Sequence, residues 1–155
     1  EDWYNAKSYL QKAVSLNPNN KDASAALTDI KKVTSQIQVQ KGADLFNSSK
    51  FDDALKSFNQ AILDDATNSD AYYYRAMIYD GKNQRNLAIN DYKKAVQYNP
   101  EQYIANYLIA VDLDTLGQYK NALTYYKKFV SQYKTDDEYL KYTKARIQEL
   151  AKYGN

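Results

Sequence analysis

The sequence predicts an all-α fold built from repeated helix pairs, and three observations support this prediction. First, a pattern of small and large apolar residues returns every 34 residues along the 155-residue chain. Second, apolar residues inside each repeat recur at spacings of three and four, which places them on one face of a helix. Third, the chain has two prolines, and each follows an asparagine at the predicted end of a helix. A fixed period of about 20–50 residues is typical of a stacked array, because one helix pair cannot bury its apolar face alone.

The period appears in four separate columns of the sequence. The columns are Ala54, Ala88 and Ala122; Phe58, Tyr92 and Tyr126; Gly42, Ala76 and Ala110; and Leu45, Tyr79 and Leu113. Small residues let two helix axes approach closely, and large residues fill the space beside them. In the central repeat, 69–102, we predict helices from about Asp70 to Gly81 and from about Arg85 to Tyr98. A turn at Gly81 and Asn83 joins them.

These residues resemble the tetratricopeptide repeat (TPR), whose pattern combines aromatic residues, a leucine, small residues and a closing proline. The pattern is carried here by Tyr72, Arg75, Ala76, Tyr79, Ala88, Tyr92, Ala95 and Pro100. Arg75 replaces the usual leucine, and we expect this change to weaken its packing contact. The resemblance implies an all-α, TPR-like superhelical array of antiparallel helix pairs with a C-terminal capping helix. It also implies a non-catalytic protein–protein interaction scaffold or adaptor.

The whole chain, 1–155, is predicted to form a single TPR-type domain. Its segments are a partial repeat at 1–20, a long-helix extension at 21–34, repeats at 35–68, 69–102 and 103–136, and a capping helix at 137–152, which Gly154-Asn155 ends. The partial repeat lacks a first helix, so we expect the native protein to continue upstream. Lys21–Ser48 permits either one long helix or two helices broken near Thr34-Ser35, since both of these residues are weak helix formers. We favour the single helix, because the 14 extra residues nearly preserve helical phase.

Composition argues against several classes of function. The net charge of +2 and the even mixture of charges do not predict a nucleic-acid interface. Without cysteine or histidine, the chain lacks thiolate metal ligands and the commonest general base. We therefore predict that the protein is not an enzyme and that it binds no metal or cofactor. The adjacent acidic pairs at Asp52-Asp53, Asp64-Asp65 and Asp136-Asp137 point about 100° apart on a helix and do not converge on a substrate. No apolar run reaches the roughly 20 residues of a membrane span, so no membrane insertion is predicted.

Amino-acid usage says little about location. The absence of cysteine and the frequent Asn, Lys and Tyr favour a bacterial source, either cytoplasmic or exported. The 17 tyrosines have two readings. They fill the aromatic positions of the repeat, or they line a binding groove, where tyrosine is a favoured residue.

The TPR resemblance places a concave groove along the first helices of successive pairs. The groove residues would be Phe46, Tyr73, Met77, Asp80, Ile104, Tyr107, Val111 and Asp114, with Lys141 and Lys144 of the capping helix at the edge. Family members that hold chaperone tails use basic and amide side chains at these positions, whereas this chain has mainly apolar and aromatic ones. We therefore expect a protein or peptide partner with apolar anchors and flanking basic residues. The alternative is a self-associating, homo-oligomeric module whose groove is filled by its own or a neighbouring chain's helix.

Overall fold

A computed structural model describes residues 2–153. This part of the chain forms eight α-helices and no strand, and it ends in a short 3-10 helix at Ala151–Tyr153. The helices are α1 (Asp2–Leu16), α2 (Lys21–Asn47), α3 (Phe51–Asp64), α4 (Ser69–Gly81), α5 (Arg85–Tyr98), α6 (Ile104–Thr115), α7 (Tyr119–Gln132) and α8 (Glu138–Leu150). The predicted all-α array of helix pairs is therefore confirmed. Gly154-Asn155, which we expected to end the last helix, lies outside the described residues.

The chain divides into two compact units, the first ending at Ala71 and the second beginning at Tyr72, within α4. The first unit contains α1, α2, α3 and the start of α4. The second contains the rest of α4 and α5 to α8. The single-domain organisation of the whole chain stays a prediction.

The turns between paired helices repeat with the same 34-residue period. A residue with left-handed backbone occurs at each: Ser49 (φ 59°), Asn83 (φ 58°) and Gly117 (φ 72°). In each turn the amide of this residue and the next amide donate to carbonyls of the preceding helix at 2.8–2.9 Å. These bonds satisfy carbonyls that the helix end would otherwise leave without partners. The period therefore extends to backbone conformation as well as to side chains.

The core of the first unit lies between α2 and α3. Phe58, Ala54 and Ala61 are fully buried, and Gly42 of α2 lies against the Phe58 ring. A Cβ atom at Gly42 would lie 2.5 Å from Cε1 of Phe58, which is too close for a real contact. An alanine at this position would therefore force the Phe58 ring to move.

Helix α2 is continuous over 27 residues, which confirms the first of the two interpretations of this segment. Thr34 and Ser35 do not break it. Both are fully buried, and their hydroxyls donate to α3: Thr34 to Oδ2 of Asp64 at 2.6 Å, and Ser35 to the carbonyl of Ala61 at 2.9 Å. Weak helix formers are tolerated here because their hydroxyls bond the two helices together.

Helix α1 contacts α2 but contains no fully buried residue. Its Lys7 forms an ion pair with Asp64, which also accepts hydrogen bonds from Thr34 and Gln60. Burial would raise the pKa of Asp64, but these three donors hold it below its usual value. Tyr9 of α1 is 76% exposed. This ion pair and the half-buried apolar side chains of α1, which are Ala6, Leu10, Ala13 and Val14, together hold α1 to its unit.

The second unit has one apolar cluster formed by α4 to α8. Its members are Ala76, Ala88, Ile89, Tyr92, Ala105, Ile109, Ala110, Leu113, Ala122, Leu123, Tyr126 and Leu150. The four columns recognised in the sequence supply seven of these twelve side chains. Leu150 brings the end of α8 onto the cluster, so α8 covers the last helix pair.

Arg75 does not leave the weak contact that we expected at this position. Its Nε donates to Oδ2 of Asp91 at 2.6 Å and its Nη2 to Oδ1 at 2.8 Å. Its guanidinium also lies over the rings of Tyr72 and Tyr79, at 5.5 and 5.8 Å. Burial alone would lower the pKa of Arg75, but the Asp91 carboxylate raises it. The expectation was wrong because a bidentate ion pair replaces the apolar contact of leucine.

Candidate peptide-binding surface

Seven of the eight predicted groove residues lie in the second unit, on α4 and α6. They are Tyr73, Met77 and Asp80 on α4, and Ile104, Tyr107, Val111 and Asp114 on α6. Each is half-buried, so its side chain packs partly on the core and is partly exposed. Spacings of three and four keep each set on one side of its helix.

Phe46, the eighth predicted residue, lies in the first unit. It is half-buried, and its ring packs edge-on against Phe51 with 5.5 Å between ring centroids. Its participation in one groove with the residues of α4 and α6 stays a prediction.

Helix α8 adds a third set of side chains, which the sequence analysis missed. The ring of Tyr139 lies 4.5 Å from the ring of Tyr107, measured between centroids. Tyr142 follows one turn later and is 58% exposed. We call Tyr73, Tyr107, Tyr139 and Tyr142 the tyrosine surface.

Lys141 and Lys144, which we expected at the edge of the groove, are both exposed on α8. The 34-residue step aligns Lys144 with buried alanines of the earlier repeats, but Lys144 is exposed and Thr143 is fully buried in its place. A shift of one residue rotates the helix face by about 100°. The rotation brings Tyr139 and Tyr142, instead of the lysines, beside α6. The spacing of the apolar residues in α8 was the signal that could have revealed this shift.

Phe129 of α7 anchors the aromatic end of the surface. It is fully buried, and its ring centroid lies 5.3 Å from that of Tyr107 and 6.2 Å from that of Tyr139. Tyr133 stacks on it at 4.7 Å and donates a hydrogen bond to Asp137, the residue that caps α8. These contacts fix the start of α8 and the orientation of its tyrosines.

The hydroxyls of Tyr73 and Tyr107 remain neutral at physiological pH. Burial raises the pKa of Tyr107, and Tyr139 and Tyr142 raise it further. Burial, together with Tyr74 and Tyr139, raises the pKa of Tyr73. A neutral phenol can donate or accept a hydrogen bond, so each ring offers both an apolar face and a polar edge to a ligand.

Asp114, at the other end of the α6 set, is bound by Arg146 of α8. Nε and Nη2 of Arg146 each donate to this carboxylate at 2.7 Å. The remaining Nη1 donates to Glu149 at 2.6 Å. Hydrogen bonds to Asp114 and then Glu149 raise the pKa of Arg146. One guanidinium therefore serves two carboxylates.

Asp80, at the matching end of the α4 set, shares Arg85 with Asp112. Nη1 of Arg85 donates to Asp80 at 3.1 Å and to Asp112 at 2.8 Å. The Asp112 side chain is 2% exposed, and its Oδ2 has no hydrogen-bond partner among the described residues. Burial raises the pKa of Asp112 to about 6, Asp80 adds to the effect and Arg85 opposes it. Asp112 was not among the predicted groove residues, although its position as an acidic residue inside an apolar run was a visible signal.

The acidic pairs considered as catalytic candidates have local structural roles. Asp53 bonds Lys56, Asp64 pairs with Lys7, and Asp137 caps α8. Within the described part of the chain, no group of three acidic side chains is placed to hold a metal ion. Residues 2–153 also contain no helix with both the length and the apolar character needed to cross a bilayer.

Family models of the tetratricopeptide repeat match residues 4–20, 39–85, 69–102 and 105–136. The chain belongs to the tetratricopeptide repeat family. The matched segments include all three predicted full repeats in whole or in part, as well as the partial repeat at the start.

Two TPR relatives are much longer than this chain. It is 30% identical to Tetratricopeptide repeat protein 14 of Mus musculus over 122 residues, which cover 74% of this chain and 15% of that protein. It is 34% identical to the TPR repeat-containing thioredoxin TDX of Oryza sativa subsp. japonica over 70 residues, which cover 45% of this chain and 22% of that one. The TPR chain thus spans less than a quarter of either relative.

Solved TPR structures share the fold. The Arabidopsis OM64 TPR domain has a TM-score of 0.65 at 19% identity, covering 79% of this chain and 98% of that domain. The first TPR of Spaghetti (RPAP3), bound to the HSP90 peptide SRMEEVD, has a TM-score of 0.67 at 17% identity. The match covers 79% of this chain and 94% of that domain. MamA has a TM-score of 0.61 at 19% identity, and the match covers 99% of this chain and 85% of the MamA chain. At these identities the likeness concerns the fold alone.

Proposed function

We propose that this TPR chain is a non-catalytic interaction scaffold whose second unit binds a peptide or a helix on the tyrosine surface. The observation that carries the proposal is the convergence of four tyrosines from α4, α6 and α8, with Tyr139 and Tyr142 42% and 58% exposed. Met77 and Val111 lie one helical turn beyond Tyr73 and Tyr107 and add apolar contacts. Tyrosine supplies a large rigid contact with a polar tip, and it is enriched where binding energy concentrates.

The ligand of this surface differs from the acidic peptide held by the RPAP3 domain. Tyr73, Met77, Tyr107 and Val111 occupy the positions where a carboxylate-binding groove would need basic or amide groups. The two guanidinium groups nearby are already bound to carboxylates of this chain. We therefore infer that an acidic tail such as SRMEEVD is not a ligand.

A library selection with matched tyrosine variants tests this proposal. Peptides selected from a random library against the full chain should bind Tyr142→Ala about tenfold more weakly than the parent. Tyr142 is suited to this test because it is largely exposed, whereas Tyr73 and Tyr107 pack on the core and their truncation would also destabilise the fold.

The control is Tyr9→Ala, the same change at a tyrosine that is 76% exposed on α1. It should leave peptide affinity unchanged. Selected peptides that bind the parent and Tyr142→Ala equally would contradict the proposal. A chain that selects no peptide but dimerises through Tyr142 would support the self-association alternative instead.

A further inference from the structure

The acidic side chains beside the tyrosine surface outnumber their basic partners. Asp80 and Asp112 share the single guanidinium of Arg85, and Asp114 and Glu149 share that of Arg146. Four carboxylates are therefore served by two guanidinium groups. Lys141 and Lys144, which could have supplied the balance, lie on another side of α8.

The same end of the surface carries negative helix ends. Asp80 lies in the last turn of α4, Asp114 in that of α6 and Glu149 in that of α8. None of these turns contains a basic residue, and Lys152 follows in the 3-10 helix after α8. A helix C-terminus bears roughly half a negative charge, so an acidic residue there is unfavourable for helix stability. The ion pairs from Arg85 and Arg146 tie these three ends to one another within the second unit. Among these paired side chains, the four carboxylates exceed the two guanidinium groups by two negative charges.

Asp112 lacks one hydrogen-bond donor in this region. Its Oδ2 is buried without a partner, although almost all buried polar atoms in proteins have one. Arg85 uses one nitrogen, Nη1, for both of its carboxylates. An additional cation near Arg85 and Asp80 would offset the excess negative charge of the Asp80 and Asp112 carboxylates.

We propose that the segment bound by the tyrosine surface is basic, with apolar anchors on the tyrosines and a Lys or Arg side chain at the Asp80–Asp114–Glu149 end. This inference rests on the proposed function and names the chemistry of its partner. The tyrosine faces would also favour a cation, because the ring quadrupole attracts it. Nucleic acid does not fit, since its phosphates would meet the surplus carboxylates.

Two synthetic peptides of about 14 residues, or four helical turns, provide the test. Both carry leucine at the i, i+3, i+4, i+7 positions of an amphipathic helix. One carries lysine at the remaining positions and the other glutamate. We expect the lysine peptide to bind the full chain at least about tenfold more tightly, with an affinity that falls as salt rises.

A charge-matched pair of double variants locates the effect. Asp80→Asn with Glu149→Gln should weaken the lysine peptide by about threefold to tenfold and reduce the salt dependence. Asp29→Asn with Glu101→Gln changes the net charge equally at exposed positions outside the surface and should leave affinity unchanged. Equal weakening by both double variants would reduce the lysine preference to a general charge effect and overturn the inference.

The outcomes separate this inference from the proposed function. If the glutamate peptide binds as tightly as the lysine peptide and both depend on Tyr142, the surface binds peptides but the basic preference is wrong. If neither peptide binds and the library yields no Tyr142-dependent peptide, both proposals are overturned. Lysine-peptide binding that needs Tyr142 and is weakened by the Asp80/Glu149 variant alone supports both.

Discussion

At the scale of single residues, the Arg75–Asp91 pair shows how a departure from the repeat pattern can be compensated. Their side chains are 18% and 10% exposed, so either charge alone would be buried without compensation. Removal of one partner from such a pair is much more costly than replacement of both by apolar groups. The effect of substituting either residue therefore depends on whether its partner is substituted as well.

We predict that Arg75→Leu, which restores the family residue, lowers the free energy of unfolding by about 3 kcal/mol, because it leaves Asp91 unpaired. The double variant with Asp91→Leu should return to within about 1 kcal/mol of the parent. Urea denaturation followed by circular dichroism measures both. Additive losses in the double variant would show that the ion pair contributes nothing of its own.

Gly42, inside α2, and Gly81, the last residue of α4, provide a pair of glycine substitutions with opposite surroundings. Gly42→Ala should destabilise the chain by about 1–2 kcal/mol, since overpacking against Phe58 exceeds the gain in helix propensity. Gly81→Ala should be neutral or stabilising by up to about 1 kcal/mol, because nothing lies within 4 Å of the added Cβ. Thermal unfolding of the two variants compares them directly. A stabilising Gly42→Ala would contradict the close Gly42–Phe58 packing.

Asp112 should make stability depend on pH. Its pKa is about 6 in the folded chain and about 3.9 when unfolded, so between these values the folded state keeps a proton that the unfolded state releases. Its contribution to stability is therefore greatest at low pH and is lost as pH rises through about 6, by up to about 3 kcal/mol. Asp112→Asn removes this titration. Between pH 4 and pH 7, the unfolding free energy of Asp112→Asn should rise relative to that of the parent. A difference between the two that stays constant with pH would contradict this prediction.

At the scale of helices, the two ends of the described chain are held differently. Helix α8 buries Leu140, Thr143 and Leu150 and also bonds α6 through Arg146. Helix α1 buries no residue fully, and its Lys7–Asp64 pair reaches α3. Segments with few buried apolar contacts open most readily, so α1 should be the least protected helix of its unit.

We predict that Lys7→Gln increases amide hydrogen exchange in α1 by about threefold to tenfold and leaves α3 unchanged. The Lys7 and Asp64 side chains are only 13% and 3% exposed, so this pair is less screened by solvent than a surface pair. Lys12→Gln, at an exposed lysine of the same helix, is the control and should have no effect. Equal exchange in the parent and Lys7→Gln would show that apolar contacts hold α1.

At the scale of the whole molecule, the features that repeat were predictable and those specific to one repeat were not. The 34-residue period predicted α4 and α5 to within one residue of their ends, because the same packing recurs in each pair. The sequence led to the wrong expectation for the contact of Arg75 and left open whether the helix breaks at Thr34 and Ser35. The hydrogen-bond partners of these residues lie 16 to 30 residues away, and no period marks them. Helix α8 broke the register by one residue, so the period did not predict that Tyr139 and Tyr142 lie beside α6.

The central claim is that the tyrosine surface of the second unit is where a partner binds. The most direct test is an amide NMR titration of the full isotope-labelled chain with the tightest peptide from the library selection. We predict that shift changes concentrate in α4, α6 and α8 around Tyr73, Tyr107 and Tyr142, and that they weaken in Tyr142→Ala but not in Tyr9→Ala. Changes confined to α5 and α7, or to the first unit, would contradict the claim.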